Sequence, residues 1–192
     1  MSKSRLEAFS DGVLAIIITI MVLEIHVPQG RDISALRPIL PILLSYILSF
    51  VYIGIYWNNH HHLLHATQKV NGSVLWANLH LLFWLSLLPI GTGWMGASGF
   101  APDSTVLYGV ILFMSGFAYW ILELALIQAD GDDSLVKKAV GSDRKGIISM
   151  VLYAIAIPCG FFFHWIAHAL YILVALIWLI PDRRIERVLS SE

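Results

Sequence analysis

Cysteine is nearly absent from this chain. Cys159 is the single copy among 192 residues, which excludes an intramolecular disulfide framework. Its apolar neighbours make it read as a small buried hydrophobe. Charge is also scarce: 13% of residues are Asp, Glu, Lys or Arg and 58% are hydrophobic, whereas soluble domains carry about a quarter charged. With a mean hydropathy of +0.75, this is the composition of an integral membrane protein. The formal net charge is -1, which argues against nucleic acid as a partner. Also missing are a nucleophile elbow, a phosphate-binding loop and a zinc-protease signature. Without an internal repeat, low-complexity tract or second domain, residues 1–192 read as one unit.

What the chain does have is apolar runs of membrane-spanning length. Hydropathy predicts six spans, over 6–25, 38–64, 70–91, 105–128, 146–163 and 166–180. Pro28 and Gly30 end the first, Pro38 and Pro41 fit the opening turn of the second, and Pro181 stops the last. The join between the fifth and sixth spans is tight, and the sixth is barely long enough to cross. The first run exceeds a signal-peptide core and no small-residue cleavage site follows it, so it is expected to stay in the protein. Ile90-Gly91-Thr92-Gly93-Trp94 faintly resembles a carbonyl-filter sequence, but its order is wrong and it reads as a helix end and turn.

Basic residues set an expected orientation. With the N-terminus inside, the inner ends and loops hold Lys3, Arg5, Lys69, Lys137, Lys138, Arg144, Lys145, Arg183, Arg184 and Arg187, which is 10 of the 12 basic residues. Arg31 and Arg37 remain outside. The positive-inside rule then puts both termini in the cytoplasm.

Eight histidines in a small membrane chain raise the alternative of a metalloenzyme or metal-binding protein built on histidine boxes. His61 and His65 share a helix face, as do His164 and His168. The predicted topology separates these pairs by a membrane thickness, and carboxylate ligands do not gather beside either. A hydrogen-bonded network is the simpler reading, with the imidazoles satisfied among Trp57, Asn58 and Asn78. His60 and His61, next to Trp57, are expected to brace the first helix. No metal and no cofactor are expected.

The first span carries the densest information. On a helix, Phe9, Val13, Ile16, Ile20, Leu23 and Val27 form one stripe in steps of four and three, with Thr19 at its edge. Such a stripe suits packing around a symmetry axis, but from periodicity alone an ordinary core face is the simpler reading. Asp11 near the start of the span is costly in hydrocarbon, so it marks function or a partnered network. Arg5 and Asp11 are six residues apart and cannot pair on one helix face, so each needs a partner elsewhere.

Arg5-Leu6-Glu7-Ala8-Phe9-Ser10-Asp11 fits an Arg-x-x-x-Phe-Ser-Asp signature at the head of a first transmembrane helix. Together with Trp57-Asn58-Asn59-His60-His61 at the end of the second span, it resembles the transmembrane-protein-175 family of potassium channels, in the single-repeat prokaryotic form. The resemblance implies an all-α six-transmembrane-helix bundle assembled as a homotetramer, with the four first helices lining a central pore and no carbonyl filter. By position from the motif, it places apolar constriction layers at Ile16, Ile20 and Leu23, with a hydroxyl layer at Thr19. It makes Arg5, Phe9, Ser10 and Asp11 part of a structural polar network with Trp57, His60, His61 and Asn78. Glu24 is either an outer acidic ring or an interface residue. The expected function is passive, weakly potassium-selective conduction in a prokaryotic plasma membrane, with potassium and the lipid bilayer as partners. A secondary transporter is disfavoured, because no pair of broken, glycine-interrupted helices occurs in matching halves.

Overall fold

In hydrocarbon each backbone N–H and C=O must find its partner within its own segment, so apolar runs of this length fold as helices. The computed structural model of the chain describes residues 2–131, 134–140 and 143–179. Helix α1 spans Lys3–Leu23. A 3-10 turn at Ile33–Ile39 leads into α2, Leu40–His65. Then follow α3, Gly72–Ser86, α4, Leu88–Ala97, and α5, Pro102–Asp130. The short α6, Leu135–Val140, precedes α7, Arg144–Phe162, and α8, His164–Leu179. No strand occurs among the described residues.

Five helical stretches are long and apolar enough to cross a membrane: Lys3–Leu23, Ile33–His65, Gly72–Ala97, Pro102–Asp130 and Arg144–Phe162. The sixth expected span appears as α8, an apolar helix of 16 residues joined to α7 through Phe163 alone. Ile180, Pro181 and the basic residues after them lie outside the described residues.

The third span departs from expectation. It does not end in a turn at Gly91–Trp94. Instead α3 pauses at Leu87 and resumes as α4, so the whole Ile90–Trp94 segment is helical. Pro89 is the cause. It cannot donate the hydrogen bond that would continue α3, yet it is well tolerated in the first turn of a new helix. The glycines that look like terminators are contact points. A Cβ on Gly91 would stand 2.9 Å from Ile111 Cδ1, and one on Gly96 would stand 2.6 Å from Ile42 Cα. Small residues thus let α4 press against α5 and α2. We expect Gly96→Ala to force α2 and α4 apart, because the obstacle is backbone. The cost should be about 1–3 kcal/mol of overpacking, read as a lower midpoint in thermal or detergent unfolding. An unchanged midpoint would remove the tight α2–α4 seam.

Helix α1 packs on α2, α3 and α4, while α5 sits centrally against α3, α4, α7 and α8. Two polar fastenings align one end of the bundle. Lys3 Nζ donates to the carbonyls of His65 and Thr67 at 2.9 and 3.0 Å. From the other side, Asp130 Oδ1 accepts from the amides of Gln68 and Lys69 at 3.1 and 2.9 Å. The start of α1, the α2–α3 loop and the end of α5 therefore meet. Lys3, Arg5 and Lys69 gather at that end, Lys137 and Lys138 lie on α6, and Arg144 and Lys145 open α7.

Candidate functional site

Helix α1 has two faces with different fates. Leu6, Ser10, Leu14, Ile17 and Met21 repeat in steps of three and four, and all are buried against the bundle. The neighbouring face is uncovered: Phe9 is 49% exposed, Ile16 58%, Ile20 43% and Leu23 80%. Thr19 is also exposed, and its hydroxyl donates to the Ile16 carbonyl at 2.8 Å. That bond uses the hydroxyl proton and leaves oxygen lone pairs available. The stripe of Phe9, Ile16, Ile20 and Leu23 is therefore not the core face of the protomer.

The buried face is pinned by a hydrogen-bonded chain across three helices. Ser10 Oγ donates to the Leu6 carbonyl at 2.9 Å, so it must accept the 3.0 Å bond from Asn78 Nδ2. That fixes Asn78 Oδ1 as the acceptor for His60 Nε2 at 2.7 Å, and His60 therefore carries its proton on Nε2. Ser10, Asn78 and His60 are all buried. Asn78 bridges α1 and α2 from α3, and all three side chains are satisfied away from water.

A second, exposed contact runs beside the first. Trp57 Nε1 donates to Asp11 Oδ1 at 3.0 Å, and His61 stacks between Trp57 and His65. Two residues of the expected network stand outside it in the protomer. Arg5 is exposed; its amide donates to the Ser2 carbonyl, but its guanidinium makes no hydrogen bond or ion pair among the described residues. Phe9 belongs to the uncovered stripe. Both are correctly on α1, but the turn spacing carries them off the face that meets Asn78.

The histidine pairs do not converge. His168 bonds to Thr105 at 3.2 Å and to the His164 carbonyl at 2.7 Å, on the α5–α8 side of the molecule, far in topology from His60. Among the described residues, no three His, Cys, Asp or Glu side chains could hold a metal together.

Sequence reasoning missed a further polar cluster. Ser49 Oγ meets Thr92 Oγ1 at 2.6 Å and the Tyr108 hydroxyl at 2.9 Å, tying α2, α4 and α5. Thr92 also reaches Met21 Sδ at 3.8 Å, which brings in α1. Just beyond α1, the Glu24 carboxylate lies against Gly93, where any Cβ would collide with Oε2. The only signal for the cluster is the presence of hydroxyl side chains within several apolar runs.

Fold and cluster together define a helical-bundle membrane protein of several spans. A family model described as "Endosomal/lysosomal potassium channel TMEM175" matches residues 5–89. A potassium channel of Chryseobacterium sp. is 59% identical over 191 residues, covering 100% of both chains. A mouse protein named endosomal/lysosomal proton channel TMEM175 is 31% identical over 144 residues, 66% of this chain and 29% of that one. The crystal structure of a lysosomal potassium-selective channel TMEM175 homologue from Chamaesiphon minutus superposes with a TM-score of 0.80 at 25% identity, covering 94% of this chain and 97% of that one. The chain belongs to the TMEM175 family, whose matched members are named as ion channels and not as enzymes.

Proposed function

We propose that four copies of this chain surround an axis lined by α1 and conduct potassium passively across a prokaryotic plasma membrane, with both termini in the cytoplasm. One observation carries the reading: the apolar stripe of α1 is left uncovered by its own bundle while the neighbouring face of the helix is anchored. An apolar face of this kind seats well against symmetry-related copies of itself. The names of the bacterial relatives supply the ion, and the clustering of Lys and Arg at one end supports the orientation. In this arrangement Ile16, Ile20 and Leu23 constrict the pore, and their branched side chains close it by dewetting without a plug. Arg5 and Asp11, exposed at the head of α1, face the subunit boundary.

Purified protein in liposomes under opposed potassium and sodium gradients tests the proposal, with an added pH gradient because the animal relatives carry a proton-channel name. A reversal potential displaced toward the potassium equilibrium value and a tetrameric cross-linking ladder are expected. Absence of current, or a reversal set by protons alone, would overturn it.

Thr19 gives a sharper test of selectivity. A hydroxyl ring replaces part of a cation's hydration shell, whereas isosteric methyls cannot. We expect Thr19→Val to assemble normally but to discriminate less between potassium and sodium, and Thr19→Ser to keep most of the discrimination. Bi-ionic reversal potentials check this. A Thr19→Val channel matching the wild type would make the hydroxyl incidental.

A further inference from the structure

Away from α1, the bundle contains a cavity of about 620 Å³ between α2, α5 and α7, bordered by α6 and α8. Its wall is aromatic, with Tyr56, Phe117, Tyr119, Trp120, Tyr153 and Trp178 among the lining residues. These rings are held in place. Tyr119 donates to the Asn59 carbonyl at 3.3 Å, Tyr153 to the Tyr52 hydroxyl at 3.2 Å, and Trp178 Nε1 to Ser149 Oγ at 2.8 Å. The cavity is therefore built before any ligand arrives, as most small-molecule sites are.

Its chemistry is set by Glu123, which lines the cavity and is only 6% exposed. Among the described residues, none hydrogen-bonds or ion-pairs with its carboxyl. Glu123 lies seven residues before the end of α5 at Asp130, roughly 10 Å along the helix axis. A carboxyl set into this largely apolar lining and engaged by no described side chain is available to a ligand. Asp143 also lines the cavity, but its carboxylate already caps α7 by accepting from the Gly146 amide at 2.9 Å. Lys137 is the cationic side chain among the lining residues, set against these two carboxylates. One of the wall rings already takes a cation, since Lys145 Nζ stands 5.9 Å over the centre of Trp178.

We propose that this cavity binds an amphiphilic organic cation, its ammonium head held by Glu123 and the aromatic faces and its apolar body laid between α5 and α7. An ammonium is drawn to a carboxylate and to the negative faces of aromatic rings at once. A neutral chain would leave Glu123 unpaired, and an anionic head would be repelled by it. The site lies apart from the uncovered stripe of α1, and its occupancy is measured without ion flow, so its failure would leave the channel reading intact.

The test uses the full chain in lipid nanodiscs and three photo-reactive probes of equal size. One carries a benzophenone and a trimethylammonium head, the second a neutral tert-butyl head, and the third a sulfonate. Saturable labelling of the α5 and α7 peptides is expected for the ammonium probe. Glu123→Gln should raise its half-saturation concentration about tenfold, which corresponds to ~1.4 kcal/mol, and leave the neutral probe unaffected. Met150→Trp, which fills the cavity while retaining Glu123, should abolish the labelling and stands as the independent variant if Glu123→Gln does not fold. Equal labelling by all three probes, or labelling that survives Met150→Trp, would overturn the proposal.

Discussion

Replacing Ile16 with asparagine is expected to raise single-channel conductance severalfold, and shortening Leu23 to alanine to act in the same direction. Both residues stand on the uncovered face of α1, where a ring of apolar side chains would decide whether water stays in a narrow pore. In the proposed tetramer, fourfold symmetry would magnify small effects. A change of ~0.35 kcal/mol in each of four subunits sums to ~1.4 kcal/mol, a tenfold shift between dry and wet states. Each methylene removed from an apolar surface is worth about 0.8 kcal/mol, so Leu23→Ala exceeds that requirement comfortably. The measurement is unitary current in planar bilayers, with assembly checked by size exclusion. Unchanged currents in Ile16→Asn, Ile20→Asn and Leu23→Ala, all correctly assembled, would take the constriction away from α1.

The second large effect is expected behind α1. Asn78→Leu removes the acceptor for His60 and the donor to Ser10 in one step. Each lost bond costs about 0.5–1.5 kcal/mol, and stranding the buried imidazole N–H adds about 1–3 kcal/mol. Membrane interiors soften such values, because measured interhelical hydrogen bonds there average about 0.6 kcal/mol. A net loss of about 2 kcal/mol is expected in reversible unfolding from mixed micelles. The double variant His60→Phe/Asn78→Leu should be less damaged than the sum of the single variants, since the orphaned imidazole is then gone. Trp57→Phe gives the contrast: its bond to Asp11 is exposed, so its loss should cost well under 1 kcal/mol. If Trp57→Phe proves as costly as Asn78→Leu, the buried triad is not what holds the first helix.

The positions of the spans were legible because hydrocarbon leaves a chain few options. Runs of about 20 apolar residues must be helices, and α1, α2, α5 and α7 lie close to where hydropathy predicts them. The third span runs past its expected end because the glycine-rich Ile90–Trp94 stretch reads as a helix end and turn. In water that inference is usually sound. Here Pro89 restarts a helix, and Gly91 and Gly96 are spent on close approach to α5 and α2. The Ser10, Asn78 and His60 triad was within reach because Asn and His are rare in such runs and demand partners. The Ser49, Thr92 and Tyr108 cluster was not, since a hydroxyl can satisfy itself on its own helix backbone and needs no partner to be tolerated. The exposure of Arg5 was equally hidden: a motif fixes residue order, while tertiary packing decides which face is covered.

The two fastenings of the α2–α3 loop have a bearing on how the protein is made. Lys3 can reach the carbonyls of His65 and Thr67 as soon as the second span has followed the first into the bilayer. Asp130 becomes available to Gln68 and Lys69 only after α5 has been synthesised. Because chains emerge N-terminus first, we expect the loop to be latched in two stages, early from one side and later from the other. The first latch holds α1 beside α2 while α3, with Asn78, is still on its way. The second locks the finished first half onto the central helix. A nascent chain halted between the two would carry its anchored first helix already seated, with the wall that α5 provides still missing.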